Sequence, residues 1–494
     1  MKTARLQFSQ KHTISFIAAA ALLLSCGYYF WQAGLVVLLL LLYFAVYRGT
    51  GSWTQLVLFG CVLVGFLLSD IVLWDGFYFQ YESVRYLCLF LPFCIRTQQE
   101  RERFLQGILA GATALSVIGL VAFAGQIEYA NLTADGRLQS VVGYANTMAV
   151  IGGIGAGIAF FYAWKQKDRR GFFGVLAALN LAALILTFSR LGLASFAAAA
   201  GIALCFWNRR ARYIVLSVAM LALLIVIVIF ATGHEALLLG SSFVSRLIYW
   251  HDALRLLWQN PFGIGVYGWE QQQYQAASAI YSVKYVHNSY LQIALDGGVF
   301  SLLAVVVVMA LGLFNTIRQF IRTHQRVYLL CIFLIALIGI HAFFDFDFSY
   351  STVLLILGCA LSFGCGEGRQ IHRTWYVVAI ILCSFVFVGS FHPGARESEM
   401  ARLSVEFQSA VQREDPEAML LIADQWIQAA PFQQAGYDAK FLAIDKLRDL
   451  GYSNKYKEEM TQLIQEVDAV NARMNPLSRY LDRHTKIVIP GDGS

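Results

Sequence analysis

Long apolar segments alternate with short polar connections over most of the chain. Each apolar segment holds roughly 20 residues, the length that an α-helix needs to cross the hydrocarbon of a bilayer. Only helices or closed barrels satisfy the backbone in lipid, and continuous rather than alternating hydrophobicity favours helices. We therefore predict an all-α, polytopic helical membrane bundle of about 12–13 spans. The predicted spans are 13–31, 34–47, 53–74, 82–95, 104–125, 141–164, 172–188, 190–207, 212–231, 290–316, 327–345, 350–365 and 374–391.

The last hundred residues follow a different pattern. Polar residues are frequent in 392–494, and apolar ones recur at helical spacing in four segments, which predicts four amphipathic helices. Asp415-Pro416 is a helix start and Pro431 and Gly451 are ends. The paired helices resemble tetratricopeptide packing; the alternative is a small helical cap with no ligand of its own. We thus predict a membrane domain, 1–391, followed by a helical domain, 392–494.

Composition agrees with a membrane protein. The 494 residues are 58% apolar and 14% charged, whereas soluble domains have about 25% charged residues. The nine cysteines lie in or beside apolar segments, so they are expected to be buried thiols rather than a disulfide framework. The net charge of +6 comes from short loops between apolar runs, which indicates membrane topology and not a nucleic-acid partner.

Basic residues occupy every second loop and so predict the orientation. One set of loops holds Lys2, Arg5, Lys11, Arg48, Arg96, Arg101, Arg103, Lys165, Lys167, Arg169, Arg170, Arg209, Arg210, Arg212, Arg318, Arg322, Arg326, Arg369 and Arg373. The opposite set holds only Arg137, Arg246, Arg255 and Lys284, with Arg85 and Arg190 at helix ends. The rich set is expected in the cytoplasm with the N-terminus. The 232–289 loop and the C-terminal domain are then extracytoplasmic.

The stretch from Trp250 to Val299 interrupts the apolar pattern. Residues 243–258 form an amphipathic segment that is expected to lie in the membrane interface. The segment 260–265 then breaks the helix, because Gly263 and Gly265 permit a tight turn. A phosphate-cradling function for these two glycines is weakly supported, since no strand precedes them.

Four arginines lie on the side that the charge bias leaves poor in basic residues, namely Arg85, Arg137, Arg190 and Arg246. An arginine at membrane depth costs roughly 2.5–3.5 kcal/mol on insertion scales, so each needs a reason. One reason is structural: an ion pair such as Glu82–Arg85, or snorkelling to the interface. The other is an anion site, because the planar guanidinium matches phosphate oxygens. A lipid pyrophosphate at the outer leaflet is such an anion.

His287, just before a predicted span, is the candidate general base. An imidazole exchanges protons near neutral pH, which suits that role, and Asn288 follows as an orienting partner. The alternative is a structural histidine. His341, Asp345 and Asp347 lie near the outer ends of two spans, but their spacing fits no ligand motif, so we predict polar lining and no metal. No nucleotide-binding motif is present, so the energy is expected in the substrate or an ion gradient.

In combination, four motifs within residues 30–365 resemble the O-antigen ligase/polymerase superfamily of bacterial membrane glycosyltransferases. They are Thr187-Phe188-Ser189-Arg190-x-Gly192, Arg246-x-x-x-Trp250, Asn260-Pro261-x-x-Gly263-x-Gly265 and His287-Asn288-x-x-Leu291-Gln292-x-x-x-Asp296-x-Gly298. The family tends to have Glu at the position of Asp296, a mild departure.

The resemblance implies transfer of a glycan from an undecaprenyl-pyrophosphate carrier to a glycan, lipid or protein acceptor at the outer face of the bacterial cytoplasmic membrane. It implies no metal, nucleotide sugar or other cofactor. His287 would be the general base, and Arg190 and Arg246 would bind the pyrophosphate. We add Arg137 and Arg85 as further pyrophosphate ligands. Asn288, Trp250 and Asp296 are expected to support the site.

Other functions stay open at this stage. The motifs do not distinguish a ligase from a polysaccharide polymerase. A transporter or lipid-linked oligosaccharide flippase is the alternative from another class, although polar residues clustered at one face favour surface chemistry over alternating access. A third is a scaffold for envelope assembly. Residues 392–494 are expected to bind an acceptor, an envelope-assembly protein or the growing polymer.

Overall fold

A computed structural model describes residues 2–73, 78–232, 240–365, 368–391, 399–477 and 486–489, and these residues are mostly helical. Their α-helices are α1 (Lys2–Leu24), α2 (Phe30–Tyr47), α3 (Trp53–Leu73), α4 (Phe79–Phe90), α5 (Gln98–Ala124), α6 (Ala145–Lys165), α7 (Arg170–Leu186), α8 (Arg190–Trp207), α9 (Arg209–Ala231), α10 (Ser241–Gln259), α11 (Gly268–Ala276), α12 (Ser289–Thr323), α13 (Arg326–Phe344), α14 (Ser351–Ser362), α15 (Arg373–Gly389), α16 (Glu399–Gln412), α17 (Pro416–Ala429), α18 (Gln434–Asp449) and α19 (Ser453–Ala472). Two small antiparallel pairs accompany them: β1 (Thr50–Gly51) with β4 (Arg369–Gln370), and β2 (Thr133–Ala134) with β3 (Arg137–Leu138).

The predicted all-α polytopic membrane fold is confirmed. A helix occupies each of the thirteen predicted apolar segments. Within the described residues, nine helices are long and apolar enough to cross a membrane, and α14, α15 and the apolar part of α1 are shorter. The protein is therefore a multi-pass membrane protein.

Two predicted spans differ from the structure. The first helix ends at Leu24 rather than near residue 31, because the chain turns there: the Thr352 hydroxyl donates to the Ser25 carbonyl (2.8 Å). The fourth helix is only 12 residues long. A 3-10 turn with Pro92 in its first turn follows it, since proline cannot donate the backbone hydrogen bond that would continue an α-helix.

The core of the membrane domain lies around α13 and α14. Every residue of α14 is buried, and α13 packs against α6, α8, α12 and α14. Small residues allow close helix contacts, as expected in lipid. A Cβ on Gly107 would overlap the Ser15 carbonyl between α5 and α1, and a Cβ on Gly358 would overlap the Leu89 carbonyl between α14 and α4.

The longest helix, α12, is kinked where the predicted glycine turn meets it. Gly297 and Gly298 depart from helical geometry, which frees backbone groups within a predicted span. The 260–265 segment takes them up: Ile264 donates to the Leu295 carbonyl (2.6 Å), and Val299 donates to the Pro261 carbonyl (3.1 Å). The turn at Gly263 and Gly265 therefore provides hydrogen-bond partners for the backbone groups that the kink in α12 leaves free.

The C-terminal helices α16–α19 form a separate hydrophobic core and rest on the loop between α10 and α12. Tyr274 and Ile280 of the loop pack against that core. The backbone N–H of Asn475 donates to the Ser278 carbonyl (2.7 Å). These contacts put the C-terminal helices on the same side of the bilayer as the loop; that this side is extracytoplasmic, and that the helices are tetratricopeptide-like, stay predictions.

A buried lysine joins three of these helices. The Lys440 side chain is fully buried, and its Nζ lies 2.7 Å from Asp424 and 2.8 Å from Glu466. We expect Lys440→Met to lower the free energy of unfolding of this domain by about 2 kcal/mol. This is less than the 3–5 kcal/mol for a fully buried pair, because both carboxylates keep some contact with water. Amide hydrogen exchange of α17–α19 in the full-length protein measures the loss.

Lys455→Met is the matched control for that experiment. Lys455 pairs with Glu417 at the surface (2.9 Å), where ion pairs contribute little. Amide hydrogen exchange in Lys455→Met is expected to equal that of the wild type. Equal effects of the two substitutions would contradict a structural role for the buried lysine.

Candidate active site

The carboxylate of Asp345 is the centre of a polar cluster at one end of the membrane domain. It accepts the Tyr144 hydroxyl (3.0 Å) and Asn146 Nδ2 (2.7 Å). His287 Nδ1 lies 3.0 Å and Arg246 Nη2 lies 3.4 Å from its oxygens. Asp345 is fully buried, whereas the His287 side chain stays 22% exposed. A solvent-accessible imidazole therefore rests on a buried carboxylate.

The ends of α12 and α13 hold the histidine and the aspartate together. The backbone N–H of Ser289 (2.9 Å) and its hydroxyl (2.8 Å) both donate to the Asp345 carbonyl. The indole of Trp250 donates to the His287 carbonyl (3.2 Å). Because His287 also adopts a left-handed backbone conformation (φ 54°), its ring direction is set by the fold and not by a regular helix.

Three of the four predicted arginines line one cavity. The cavity has a volume of about 610 Å³, and Arg137, Arg190 and Arg246 lie in its wall with Tyr144 and Asn146. Tyr144, Asn146 and Arg246 also contact Asp345, so His287 and the cavity share the same carboxylate. The structure thus brings the predicted base next to a cationic cavity.

The three arginines differ in how firmly they are fixed. Arg246 donates to the carbonyls of Phe344 (2.9 Å) and Ser242 (3.0 Å) besides facing Asp345. Arg137 donates to the Thr187 carbonyl and to Asn146 Oδ1, both at 2.8 Å. Arg190 is exposed, and no side chain in the described part of the chain pairs with its guanidinium. Arg190 is therefore the arginine most available to a ligand.

Residues 175–306 match the family model described as O-antigen ligase. This segment is similar to an O-antigen ligase domain. The match confirms the predicted resemblance to the O-antigen ligase/polymerase superfamily and supports an O-antigen ligase-like membrane glycan enzyme. The matched residues include Arg190, Arg246 and His287, whereas Asp345 lies beyond them. No match to a curated protein was found.

Arg85 lies apart from the three arginines of the cavity. It pairs with Glu82 (2.5 Å), both side chains are buried, and its guanidinium stacks 4.2 Å over the Phe30 ring. Arg85 and Asp296 line a second, small pocket together with Tyr285 and Gln292. The structural ion pair that the spacing suggested is thus present, and the structure does not bring Arg85 into the arginine-lined cavity.

Asn288 and Asp296 support the domain through α12. The Asn288 side chain accepts the N–H groups of Tyr290 and Leu291, both at 3.0 Å, and so caps the helix. Gln292 Nε2 donates to Asp296 one turn further on (2.9 Å). The partner of the His287 ring is therefore Asp345 and not the predicted Asn288, because the cap occupies the amide oxygen.

A second histidine–aspartate pair lies behind the first. His341 Nδ1 and Asp347 are 2.5 Å apart, and both side chains are fully buried. The Thr147 hydroxyl donates to the same carboxylate (3.2 Å). In the described residues, no three histidine, cysteine or acidic side chains come together as metal ligands would. These two residues line the interior of the domain beside α6.

The electrostatics of the cluster keep Asp345 ionised. Burial alone would raise the pKa of the Asp345 carboxyl, but the hydrogen bond and charge of His287, with help from Arg246, hold this pKa well below its usual range. An ionised Asp345 fixes the proton on Nδ1 of His287, which leaves Nε2 to accept another proton.

The sequence did not identify Asp345, Tyr144 and Asn146 as site residues. Asp345 was recognised only as polar lining. The available signals were a polar Tyr-Ala-Asn start to an otherwise apolar helix and an aspartate directly after an apolar span. Neither signal indicates which distant residue the side chain contacts.

Proposed function

We propose that the protein transfers a glycan from an undecaprenyl-pyrophosphate carrier to an acceptor hydroxyl at the outer face of the bacterial cytoplasmic membrane. The observation that supports this most directly is a single carboxylate, Asp345, shared by the His287 imidazole and by Arg246 in the wall of a cationic cavity. One side of the cluster suits a base and the other suits an anion. The O-antigen ligase match supports the same chemistry.

In the proposed reaction, the acceptor oxygen attacks the anomeric carbon of the donor sugar. Its proton moves to Nε2 of His287, and a glycosidic bond forms as the bond from the anomeric carbon to the pyrophosphate oxygen breaks. The electron pair leaves with undecaprenyl pyrophosphate. Asp345 stabilises the imidazolium that forms. The same cluster therefore accepts the proton of the acceptor and lies beside the arginines that bind the leaving group.

The arginines act on the leaving group. Arg190 is exposed and binds the pyrophosphate directly through its planar fork. Arg246 and Arg137 are held by carbonyls and contribute fixed positive charge where negative charge develops. Because these side chains are already in place, little free energy is spent on reorienting them during the reaction. Arg85 lies in the separate pocket with Glu82, which offsets its charge, so we assign it a structural role there. The reaction needs no metal ion or nucleotide, because the arginines supply the positive charge and cleavage of the bond between the sugar and the pyrophosphate supplies the energy.

Reconstitution tests the proposal. The full-length protein in vesicles receives an undecaprenyl-pyrophosphate glycan and either a second lipid-linked repeat unit or a lipid acceptor, and glycan transfer and released carrier are measured. Transfer to the repeat unit indicates a polymerase, and transfer to the lipid indicates a ligase. Movement of the donor across the bilayer without transfer would favour a flippase instead.

Arg190→Ala should weaken donor binding in that assay. Loss of one direct charge-assisted contact of about 1.5–3 kcal/mol predicts a donor KM raised roughly 10- to 100-fold. Arg255→Ala is the matched control, since Arg255 is exposed on α10 outside the cavity. Equal KM values for the two variants would contradict a direct contact between Arg190 and the pyrophosphate.

A further inference from the structure

A second large cavity lies at the opposite end of the bundle from His287. The helices α6 and α8 begin at the arginine-lined cavity, whereas their far ends, with Trp164 and Trp207, line this other cavity. The start of α13, Arg326, lies there too, while the end of α13 leads to Asp345. The cavity, which we call the α6–α8–α13 groove, therefore opens toward the other leaflet of the membrane and is separate from the candidate active site.

The groove is large and apolar. Its volume is about 630 Å³, in the range of ligand pockets. Along α8 it extends from Phe196 to Trp207, which is about 16 Å of helix, or roughly half of the hydrocarbon thickness. Small residues such as Gly174 and Ala200 lie in its lining, and the space around Gly174 is open. A cleft of one-leaflet depth between spans fits an acyl chain of a lipid.

The mouth of the groove is cationic and aromatic. Trp164 and Trp207 stack with ring centroids 4.2 Å apart, and the Arg326 guanidinium lies 3.7 Å over the Trp164 ring. Tryptophan prefers the headgroup level of a bilayer. Arg170 completes the mouth, and neither arginine pairs with a carboxylate among the described residues. Two cations above an apolar cleft are complementary to a phosphate that continues into an acyl chain.

We propose that the α6–α8–α13 groove is a binding site for an anionic phospholipid. One acyl chain lies along Phe196 and Phe333, and the phosphate lies between Arg170 and Arg326. A zwitterionic lipid has the same chain but no net charge, so it gains less from the two arginines. This site does not depend on the proposed glycan transfer, because it shares no side chain with the arginine-lined cavity.

Native mass spectrometry of the full-length protein in detergent tests the site. Palmitoyl-oleoyl phosphatidylglycerol and the matching phosphatidylcholine are titrated separately, and bound lipid is counted. The wild type should retain phosphatidylglycerol at a lipid concentration at least about fivefold lower than the concentration at which it retains phosphatidylcholine. Arg170→Gln with Arg326→Gln should remove this preference, since each arginine near a headgroup contributes about fivefold.

A glycine pair on α7 tests the apolar part independently. Gly174 lines the groove with open space around it, and Gly171 on the same helix is equally unobstructed but lies outside the lining. Gly174→Leu fills the cleft and should reduce lipid retention about tenfold, whereas Gly171→Leu should not.

The charge control is Arg169→Gln with Arg322→Gln, which removes the same charge from exposed positions outside the groove. Three results would overturn the site: equal retention of the two lipids by the wild type, wild-type retention by Gly174→Leu, or the same loss of preference in the charge control. Thermal unfolding of each variant without lipid separates a lost site from a misfolded protein.

Discussion

Replacing His287 by alanine is expected to lower the rate of glycan transfer about 10²- to 10⁴-fold. A positioned general base contributes that much to a reaction in which a hydroxyl must lose its proton. The fold should persist, because the ring is partly exposed and its backbone is held independently, with the carbonyl accepting the Trp250 indole. The loss should appear in kcat, while the donor KM changes little, since the arginine-lined cavity remains. Reconstituted transfer with a lipid-pyrophosphate glycan measures both constants.

His251→Ala is the control for the histidine substitution. His251 is also paired with an aspartate, its neighbour in α10: its Nδ1 lies 2.8 Å from Asp252, and its side chain is 56% exposed. Asp252 keeps its contacts with Ser278 and Tyr281 after the change. Activity within about threefold of wild type is expected there, as for a surface substitution. Transfer by His287→Ala at the wild-type rate would refute the base mechanism.

Much of the fold could be predicted from the sequence because lipid imposes simple rules. A run of apolar residues must be a helix, so α5, α6 and α13 follow from composition alone. The amphipathic segment at 243–258 likewise became α10, at Ser241–Gln259. The turn at Ser25 and the kink at Gly297-Gly298 could not be predicted, since both depend on partners far away in the sequence, Thr352 and the 260–265 segment.

The candidate site divides in the same way. His287, Arg190 and Arg246 were recognised as unusual residues at the ends of apolar segments, and the structure brings them to one cluster and its cavity. Asp345 was not recognised as the partner of His287, because the 58 residues between them in the sequence are bridged only by the packing of α12 on α13. Arg85 satisfied the same criteria as the other arginines, yet it forms an ion pair with Glu82, three residues earlier. The sequence suggested this pair, but it did not predict that the pair lies in a separate pocket.

The arrangement of the cluster also explains why one acidic residue stabilises a cationic site. Arg137, Arg190 and Arg246 would repel one another across an empty cavity, and a single ionised carboxylate offsets part of that repulsion. Asp345 is buried behind the cavity wall, so it balances the arginines without occupying the space of an incoming anion. The cavity stays electropositive toward a pyrophosphate, and the histidine is fixed by the same group.

Asp345→Asn should lower transfer about 10²- to 10⁴-fold although the side chain touches no substrate. An amide does not hold the proton on Nδ1 of His287 as a carboxylate does, so the imidazole loses its orientation and its stabilised charged form. Asp345 is thus a positioning residue that acts through His287. Its substitution should therefore no longer lower the transfer rate once His287 is absent. In a His287→Ala background, the added Asp345→Asn change should cost less than about threefold. Two losses that multiply would show that Asp345 acts independently of His287.

The pH dependence of stability gives a second, separate measure of Asp345. Its folded pKa is held below the usual value by His287 and Arg246, so its contribution to stability is fully present above the unfolded pKa of about 3.9 and is lost as the pH falls below that value. Wild type should therefore unfold at a higher temperature than Asp345→Asn at neutral pH, and the gap should narrow only below about pH 4. The exposed Asp135→Asn should show no such gap. A gap that is constant down to pH 3 would mean that charge on Asp345 does not stabilise the cluster.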